Sequence, residues 1–399
     1  MKKWIALMLA LLLALGCFTG CSKDAPAEET TEQTEETAQA EQTEEQTEEE
    51  TAEPQALTVY TALTEGTPEY DAYMEQVAVF EEASGATVTV NHYGENLSLV
   101  LDSALESGSV DVFSVEDIAE LQMRAGHVLD LSTYAEDYDA AFPVLMDQIK
   151  ARTGLLCALP MEPDVTAMWY NAASFEKAGL TAAPTSVKEF EAACEKLTGA
   201  GFRPIALDSA YVHANFGIHM ERALGADTLT ALVQNGGWAE NKDAAAAVQE
   251  ILDRVAAGWF DENAPVDWPF SQLGLADRTV MIYADMATLD IAEEMIGADI
   301  DWGCFSYPGE SKTVLADCSA LCVSADTLAP ELAWSFISHM AENTEVDAEV
   351  AELLKSADGI CDVSAIVKSG PDLTEVIENI YRGTYTDGSE AAAALDALY

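Results

Sequence analysis

The spacings typical of metal sites and catalytic sites are missing from this sequence. The chain has five histidines, and the pair in "HANFGIH", His213 and His219, does not form the H-E-x-x-H pattern of a zinc site. The sequence also lacks a G-x-x-x-x-G-K-[ST] phosphate loop, a G-x-G-x-x-G turn after a strand and a G-x-S-x-G nucleophile turn. Two carboxylates from distant positions can still hydrolyse a glycoside without leaving a sequence signature. The sequence therefore favours a binding protein without metal or cofactor, with a hydrolase as the alternative.

Acidic residues dominate the composition. The chain contains 71 Asp and Glu against 18 Lys and Arg, which gives a formal net charge of −53. Thirteen of the acids lie in residues 22–56, so residues 57–399 keep 58 acids against 15 basic residues. This excess argues against nucleic acid and anionic lipid surfaces as partners, because both would be repelled. It is consistent with a solvated surface, or with an acidic cleft for a cation.

The N-terminus has the pattern of a lipoprotein signal peptide. Lys2 and Lys3 precede an apolar run over residues 4–15, which is shorter than the roughly 20 residues of a membrane-spanning helix. The stretch "FTGC" resembles the lipobox of bacterial lipoproteins, which predicts cleavage after residue 20 and lipidation of Cys21. Cys17 is the competing acceptor, but the charged segment begins directly after Cys21. An uncleaved signal anchor is the alternative.

Residues 22–56 are predicted to be a disordered spacer. They carry thirteen acids and no aromatic or β-branched aliphatic side chain, so they cannot bury enough apolar surface to offset the entropy of ordering. A spacer of this kind would hold the folded region away from the membrane. An acidic interaction tail is the alternative.

The first part of the folded region alternates strands with helices. A helix begins at the N-cap Thr67 with Pro68 in its first turn, and Gly85 ends it. The other predicted elements are strands in "LTVYTAL" (57–63), "ATVTV" (86–90) and "VDVFS" (110–114), helices at about 98–107 and in "DIAELQMRAG", and an extended "HVLDLS". Such alternation predicts βαβ units around a mainly parallel sheet.

The same pattern starts again further along the chain. The predicted elements are consecutive extended runs in "RTGLLCALP" and "VTAMWYN", a helix in "SVKEFEAACEKLTGAG", a strand in "RPIAL", a largely helical stretch over 213–256, strands in "TVMIYAD" and "DWGCFSYPG", and helices at about 329–341, 372–381 and 389–398. The restart predicts an α/β protein of two lobes rather than one uninterrupted sheet.

Several of these stretches, taken in order, resemble one family. "FEEASGATVTV", "SGSVDVFSVEDIAELQMRAGHVLDLS", "GLLCALPMEPDVTAMWYNAASFEKAGL", "GWFDENA" and "DGSEAAAALDALY" are similar to the extracellular solute-binding proteins that deliver sugars to ABC importers, the class that includes maltose-binding protein. The resemblance implies a first lobe of residues 57–164 plus about 314–360, and a second of 165–313 plus about 361–399. It also implies a monomer, lipid-anchored on the extracellular face, that closes on a carbohydrate and presents it to the permease subunits.

The resemblance also implies where the ligand binds. Carried over by position, the contacts are Thr61, Thr64 and Glu65 after the first strand, Glu116 and Asp117 after "DVFSV", Asp164 at the first crossover, and Tyr211 and His213 in "DSAYVHANF". Trp268, in a loop flanked by proline, and Asp285, after the "MIY" strand, complete the predicted set. Carboxylates accept hydrogen bonds from sugar hydroxyls and aromatic rings cover C–H surfaces. The tryptophan that the family has after the "MIY" strand is absent, so the stacking role passes to Tyr211, Trp268 or Trp169. Asp117 could instead cap a helix.

The same set of residues allows two other ligands or activities. Opposed carboxylates with an aromatic box could hold a polyamine or another cationic solute, and salt would then weaken binding. Two of the acids could instead hydrolyse a glycoside, which would give a bell-shaped pH profile.

Overall fold

The computed structural model describes residues 56–399 except 137, 262–263, 268–270, 272–273, 310, 362, 364–365 and 367–369. The predicted signal peptide, Cys21, the acidic spacer and Trp268 lie outside the described residues. Within the described ranges, no helix combines the length and the apolar character needed to cross a membrane.

The described strands pair in one continuous path, in the order β2-β1-β3-β8-β4-β6-β5, and β7 pairs with β4 off this path. Their bounds are β1 (Ala56–Thr61), β2 (Thr87–His92), β3 (Val112–Val115), β4 (Ala158–Asn171), β5 (Arg203–Ala206), β6 (Thr279–Ala284), β7 (Trp302–Phe305) and β8 (Leu315–Val323).

The fourth strand connects the two halves of this path. The first part of β4, Ala158–Thr166, pairs antiparallel with β8, and its end pairs with β6 and β7. The expectation of two separate extended runs is therefore wrong, because both belong to one strand. Pro160 and Pro163 lie within this strand, where they flank a register shift in the β8 ladder, and a missing N–H is tolerated at such a shift.

The sheet is mixed rather than mainly parallel. β1 pairs parallel with β2 and β3, and β5 pairs parallel with β6. The pairs β3–β8, β4–β8, β4–β6 and β4–β7 are antiparallel. The prediction failed because β8, which comes late in the chain, returns to lie between β3 and β4.

The helices cover the faces of the sheet. Their bounds are α1 (Pro68–Ser84), α2 (Leu97–Ser107), α3 (Ile118–Met123), α4 (Pro143–Thr153), α5 (Ala172–Lys177), α6 (Val187–Gly199), α7 (Val212–Leu224), α8 (Ala226–Asn235), α9 (Lys242–Ala256), α10 (Met286–Ile296), α11 (Pro330–Glu342), α12 (Ala348–Ser356), α13 (Pro371–Tyr381) and α14 (Gly388–Asp396). The predicted caps of α1 are confirmed: Tyr70 N–H donates to Thr67 Oγ1, and Gly85 has a φ of 72°.

Two local predictions in this region were wrong. The helix in "DIAELQMRAG" ends at Met123 rather than at Gly126. "HVLDLS" makes only an isolated bridge, between Val128 and Ser324. Residues 124–133 run as turns and short connections in this part of the chain.

Three hydrophobic clusters hold these elements in place. One is built around Phe190, Phe216 and Trp238, a second includes Phe113 and Trp169, and a third packs α1 and α11 against β1. Five of the six described cysteines are buried and none forms a disulfide. Most cysteines therefore act as small apolar core residues.

Candidate functional site

Three carboxylates meet where β4, β6 and β8 come together. Asp164 on β4 lies directly opposite Asp317 on β8 in the antiparallel ladder, and Asp285 directly follows β6. Partial burial, followed by the charges of Asp285 and Asp317, raises the pKa of Asp164 from 3.8 to about 6. The Asp164 side chain remains open to solvent. A ligand can therefore reach this acid from solvent.

Two of these acids accept hydrogen bonds from backbone N–H groups, and the third has no such partner among the described residues. Asp317 Oδ1 accepts hydrogen bonds from the N–H groups of Ile118 (3.1 Å) and Cys318 (2.8 Å). Asp285 caps α10, since its Oδ1 accepts from Thr288 N–H at 2.9 Å. The Asp164 carboxylate makes no hydrogen bond to any residue in the described part of the chain. Of the three acids, Asp164 is the one whose two carboxylate oxygens can both still accept hydrogen bonds from a ligand.

An aromatic side chain from the second half of the chain joins these acids. Tyr211 ends a short 3-10 helix (Ser209–Tyr211), and its hydroxyl lies 2.7 Å from Thr288 Oγ1. Burial and interaction with the Asp285 carboxylate raise the pKa of the Tyr211 phenol, so the phenol stays neutral at ordinary pH. The structure therefore brings together three predicted residues, Asp164, Tyr211 and Asp285.

Sequence reasoning missed two members of this group, Asp317 and Thr288. Asp317 lies in "LADCSAL", which had not been identified as a strand, so nothing placed it beside Asp164. Thr288 stands three residues after Asp285, the spacing of a helix cap and its N–H partner. That spacing was the available signal.

Two more predicted residues line a neighbouring cavity at the carboxyl ends of β1 and β3. The cavity has a volume of about 360 Å³, and its lining includes Thr61 and Glu116 together with Tyr73, Glu162 and Ser319. Thr61 is almost fully buried, and its Oγ1 accepts from Leu63 N–H at 3.2 Å.

Asp117, Glu65 and Thr64 have other surroundings. Asp117 caps α3, since its Oδ1 accepts from Glu120 N–H at 2.6 Å, as the structural alternative predicted. Glu65 is exposed and pairs with His92 at 3.4 Å. Glu65 and Thr64 border a separate cavity beside β2, of about 360 Å³.

His213 takes part in the packing of helices rather than in the acidic group. Its Nε2 lies 2.9 Å from Thr374 Oγ1 on α13. Burial lowers the pKa of His213, and the negative charge of Glu378 partly offsets this decrease. None of its described partners belongs to the acidic group.

Of the three aromatic residues expected to stack on the sugar, one is left as a candidate within the described residues. Trp169 is 2% exposed, and its Nε1 donates to Ala284 O at 3.0 Å, so its ring belongs to the core. Trp268 lies outside the described residues. Tyr211 is the described aromatic beside Asp164 and Asp285.

A larger cavity, of about 650 Å³, lies apart from these residues. It is bordered by β7, α12 and residues 183–186, and includes Cys304 and Lys312. None of the predicted ligand contacts that the structure describes lines it. We therefore take the convergence of polar groups, rather than cavity size, as the mark of the candidate site. No group of histidine, cysteine or acidic side chains in the described ranges is arranged to hold a metal ion.

Comparisons with known proteins agree with the fold. Residues 75–363 match the sequence profile of the bacterial extracellular solute-binding proteins. No curated protein matches the chain by sequence.

Among solved structures, a probable secreted solute-binding lipoprotein from Streptomyces coelicolor is similar, with a TM-score of 0.68 and 17% identity over 87% of this chain and 99% of that one. The bacterial solute receptor AcbH, described as exclusive for β-D-galactopyranose, has a TM-score of 0.67 and 14% identity over 87% and 97%. A chitin oligosaccharide binding protein has a TM-score of 0.55 and 17% identity over 86% and 98%.

Proposed function

The chain belongs to the family of bacterial extracellular solute-binding proteins, and we propose that it captures a carbohydrate between two lobes and delivers it to an ABC importer. The family and the similar structures are binding proteins rather than enzymes. In this proposal no bond is made or broken. A ligand that favours the closed arrangement of the lobes shifts the protein toward it, and the permease subunits recognise that state.

The observation that supports this function best is the free Asp164 carboxylate beside Asp285 and Tyr211. Ionised carboxylates only accept hydrogen bonds, so their partner must supply several donors. Neighbouring sugar hydroxyls do this, while the Tyr211 ring offers an apolar face to the C–H surface. The sugars named for AcbH and for the chitin oligosaccharide binding protein are of this chemical class.

The lobes and the anchor belong to the same proposal. The first lobe would comprise residues 57–164 plus about 314–360, and the second 165–313 plus about 361–399. The paired strands β4 and β8 would form the crossover between them, and their antiparallel pairing supports that assignment. Lipidation at Cys21 would hold a monomer at the extracellular face of the cell membrane, where the permease lies.

A thermal-shift screen of the chain from residue 22 onward tests this function. Neutral sugars, oligosaccharides, polyamines and amino acids are compared at two salt concentrations. A ligand at 100 times its Kd stabilises the protein by about 2.7 kcal/mol, which raises Tm by a few degrees. We expect one carbohydrate class to give a shift that salt does not change and that Asp164→Asn reduces. A shift with polyamines alone, weakened by salt, would show a cationic ligand instead.

A further inference from the structure

We infer that Thr288 is a positioning residue of this site, and that its hydroxyl fixes the ring of Tyr211 as the aromatic surface on which the sugar stacks. The inference rests on the proposed function and identifies the aromatic residue that the sequence left open. Thr288 matches no ligand contact expected from the sequence.

One residue orients both the acid and the ring. Thr288 Oγ1 lies 2.7 Å from the Tyr211 hydroxyl, and Thr288 N–H donates to Asp285 Oδ1 at 2.9 Å. Thr288 is 5% exposed, so it is fixed inside the first turn of α10. The hydroxyl and the backbone N–H of Thr288 therefore hold the Tyr211 ring and the Asp285 carboxylate at a fixed distance from each other.

The hydrogen bond to Thr288 helps to fix the Tyr211 ring because the side chain is only partly buried. Tyr211 ends a three-residue 3-10 helix and is only partly buried, although it packs against the clusters that contain Phe216 and Trp169. Without the bond to Thr288, the Tyr211 hydroxyl keeps only its interaction with the Asp285 carboxylate among these groups, and the ring has more freedom in the unliganded protein. Sugar binding must then offset the entropy lost when the ring becomes ordered. Losing the bond should weaken sugar binding more than it lowers stability.

The valine variant separates the two roles of Thr288. Thr288→Val keeps the side-chain shape and the backbone N–H that binds Asp285, and removes only the hydroxyl. Thr374→Val is the matched control, because Thr374 Oγ1 makes a similar bond of 2.9 Å to His213 Nε2 in the first turn of α7. Thr288→Ser keeps a hydroxyl and serves as the conservative variant.

The experiment measures Kd by calorimetry and Tm by calorimetric scanning for these variants and for Tyr211→Phe. The probes are a panel of neutral sugars that includes D-galactose and chitin oligosaccharides. We expect Thr288→Val and Tyr211→Phe each to weaken binding by about 5- to 30-fold. The double variant should lose no more than Tyr211→Phe alone, because removing the Tyr211 hydroxyl already removes its bond to Thr288. Thr288→Ser and Thr374→Val should bind within about twofold of wild type.

Two results would overturn the inference. Wild-type affinity in Thr288→Val would show that the hydroxyl does not position Tyr211. Equal losses of affinity in Thr288→Val and Thr374→Val, in proportion to their Tm, would show a purely structural role. In both cases the wild-type protein still binds a sugar, so the proposed function stands. A wild-type protein that binds none of the sugars would overturn both proposals.

Discussion

The free carboxylate of Asp164 predicts that ligand affinity falls as the pH drops through 6. Partial burial and the neighbouring acids raise the pKa of Asp164 to about 6. Protonation turns one oxygen of this carboxyl into a donor and weakens the other as an acceptor, so the ionised form binds sugar hydroxyls more strongly and protonation competes with binding. The competition occurs in a pH range where most carboxylates remain charged.

The size of the effect follows from the ionised fraction of Asp164. With a pKa of about 6, nearly all of the group is ionised at pH 7.5, and only about a tenth at pH 5. The apparent Kd should therefore rise about tenfold between these two values, which is about 1.4 kcal/mol. The slope should be steepest below pH 6 and close to zero above pH 7.

Calorimetric titration at pH 7.5, 6 and 5, at constant ionic strength, measures this slope. Asp164→Asn is the matched control, because the amide keeps the shape of the side chain and does not titrate there. We expect the variant to bind weakly at every pH, with no slope.

In the unliganded protein the folded state holds this proton more tightly than the unfolded chain does. The Asp164 contribution to stability therefore decreases as the pH rises from 3.8 to 6.

Two outcomes would refute this reasoning. A wild-type Kd that stays constant from pH 7.5 to 5 would show that Asp164 is not an acceptor for the ligand. A tenfold slope that persists in Asp164→Asn would assign the titration to another group.

Three further predictions concern stability and selectivity. Burial and the charge of Arg254 lower the pKa of His219 to about 3. The free energy of unfolding should therefore fall by roughly 2–3 kcal/mol as the pH drops from 6.5 to 4.5, because the unfolded chain takes up a proton on this histidine and the folded protein does not. In urea unfolding, His219→Gln should not show this loss. The Asp396 carboxylate accepts hydrogen bonds from three backbone N–H groups, those of Gly237 to Ala239. Asp396→Ala should therefore lower the free energy of unfolding by about 2–4 kcal/mol. A change below about 0.5 kcal/mol would contradict this prediction. A uronic acid should bind more weakly than its neutral sugar because it meets the acids of the site, and added salt should narrow the difference; equal affinities in calorimetry would contradict this.

Local signals in the sequence were sufficient for much of the fold. Thr67, Pro68 and Gly85 determine the bounds of α1 through interactions within a few residues of each other. The same applies to most helices, whose apolar spacing and caps are local. Asp164 could be placed at a crossover because it lies between two stretches that resemble the family.

The rest of the site depends on contacts that are distant in the chain. Asp164 and Asp317 face each other across 153 positions only because β4 and β8 share a register. The bond between Tyr211 and Thr288 spans 77 positions. Periodicity and capping patterns report on neighbours along the chain, so they could not show which acid faces Asp164 or which hydroxyl holds the ring.

The position of β8 between β3 and β4 also has a consequence for how the protein is made. When β3 has emerged from the ribosome, the strand that must cover its edge is still about 200 residues away. At about 5–20 residues per second, that edge stays open for roughly 10–40 seconds of synthesis. Because contacts so distant in sequence form slowly, the early strands cannot complete their sheet during this time. For a member of an extracellular family, this delay favours translocation of an unfolded chain, with folding completed on the far side of the membrane.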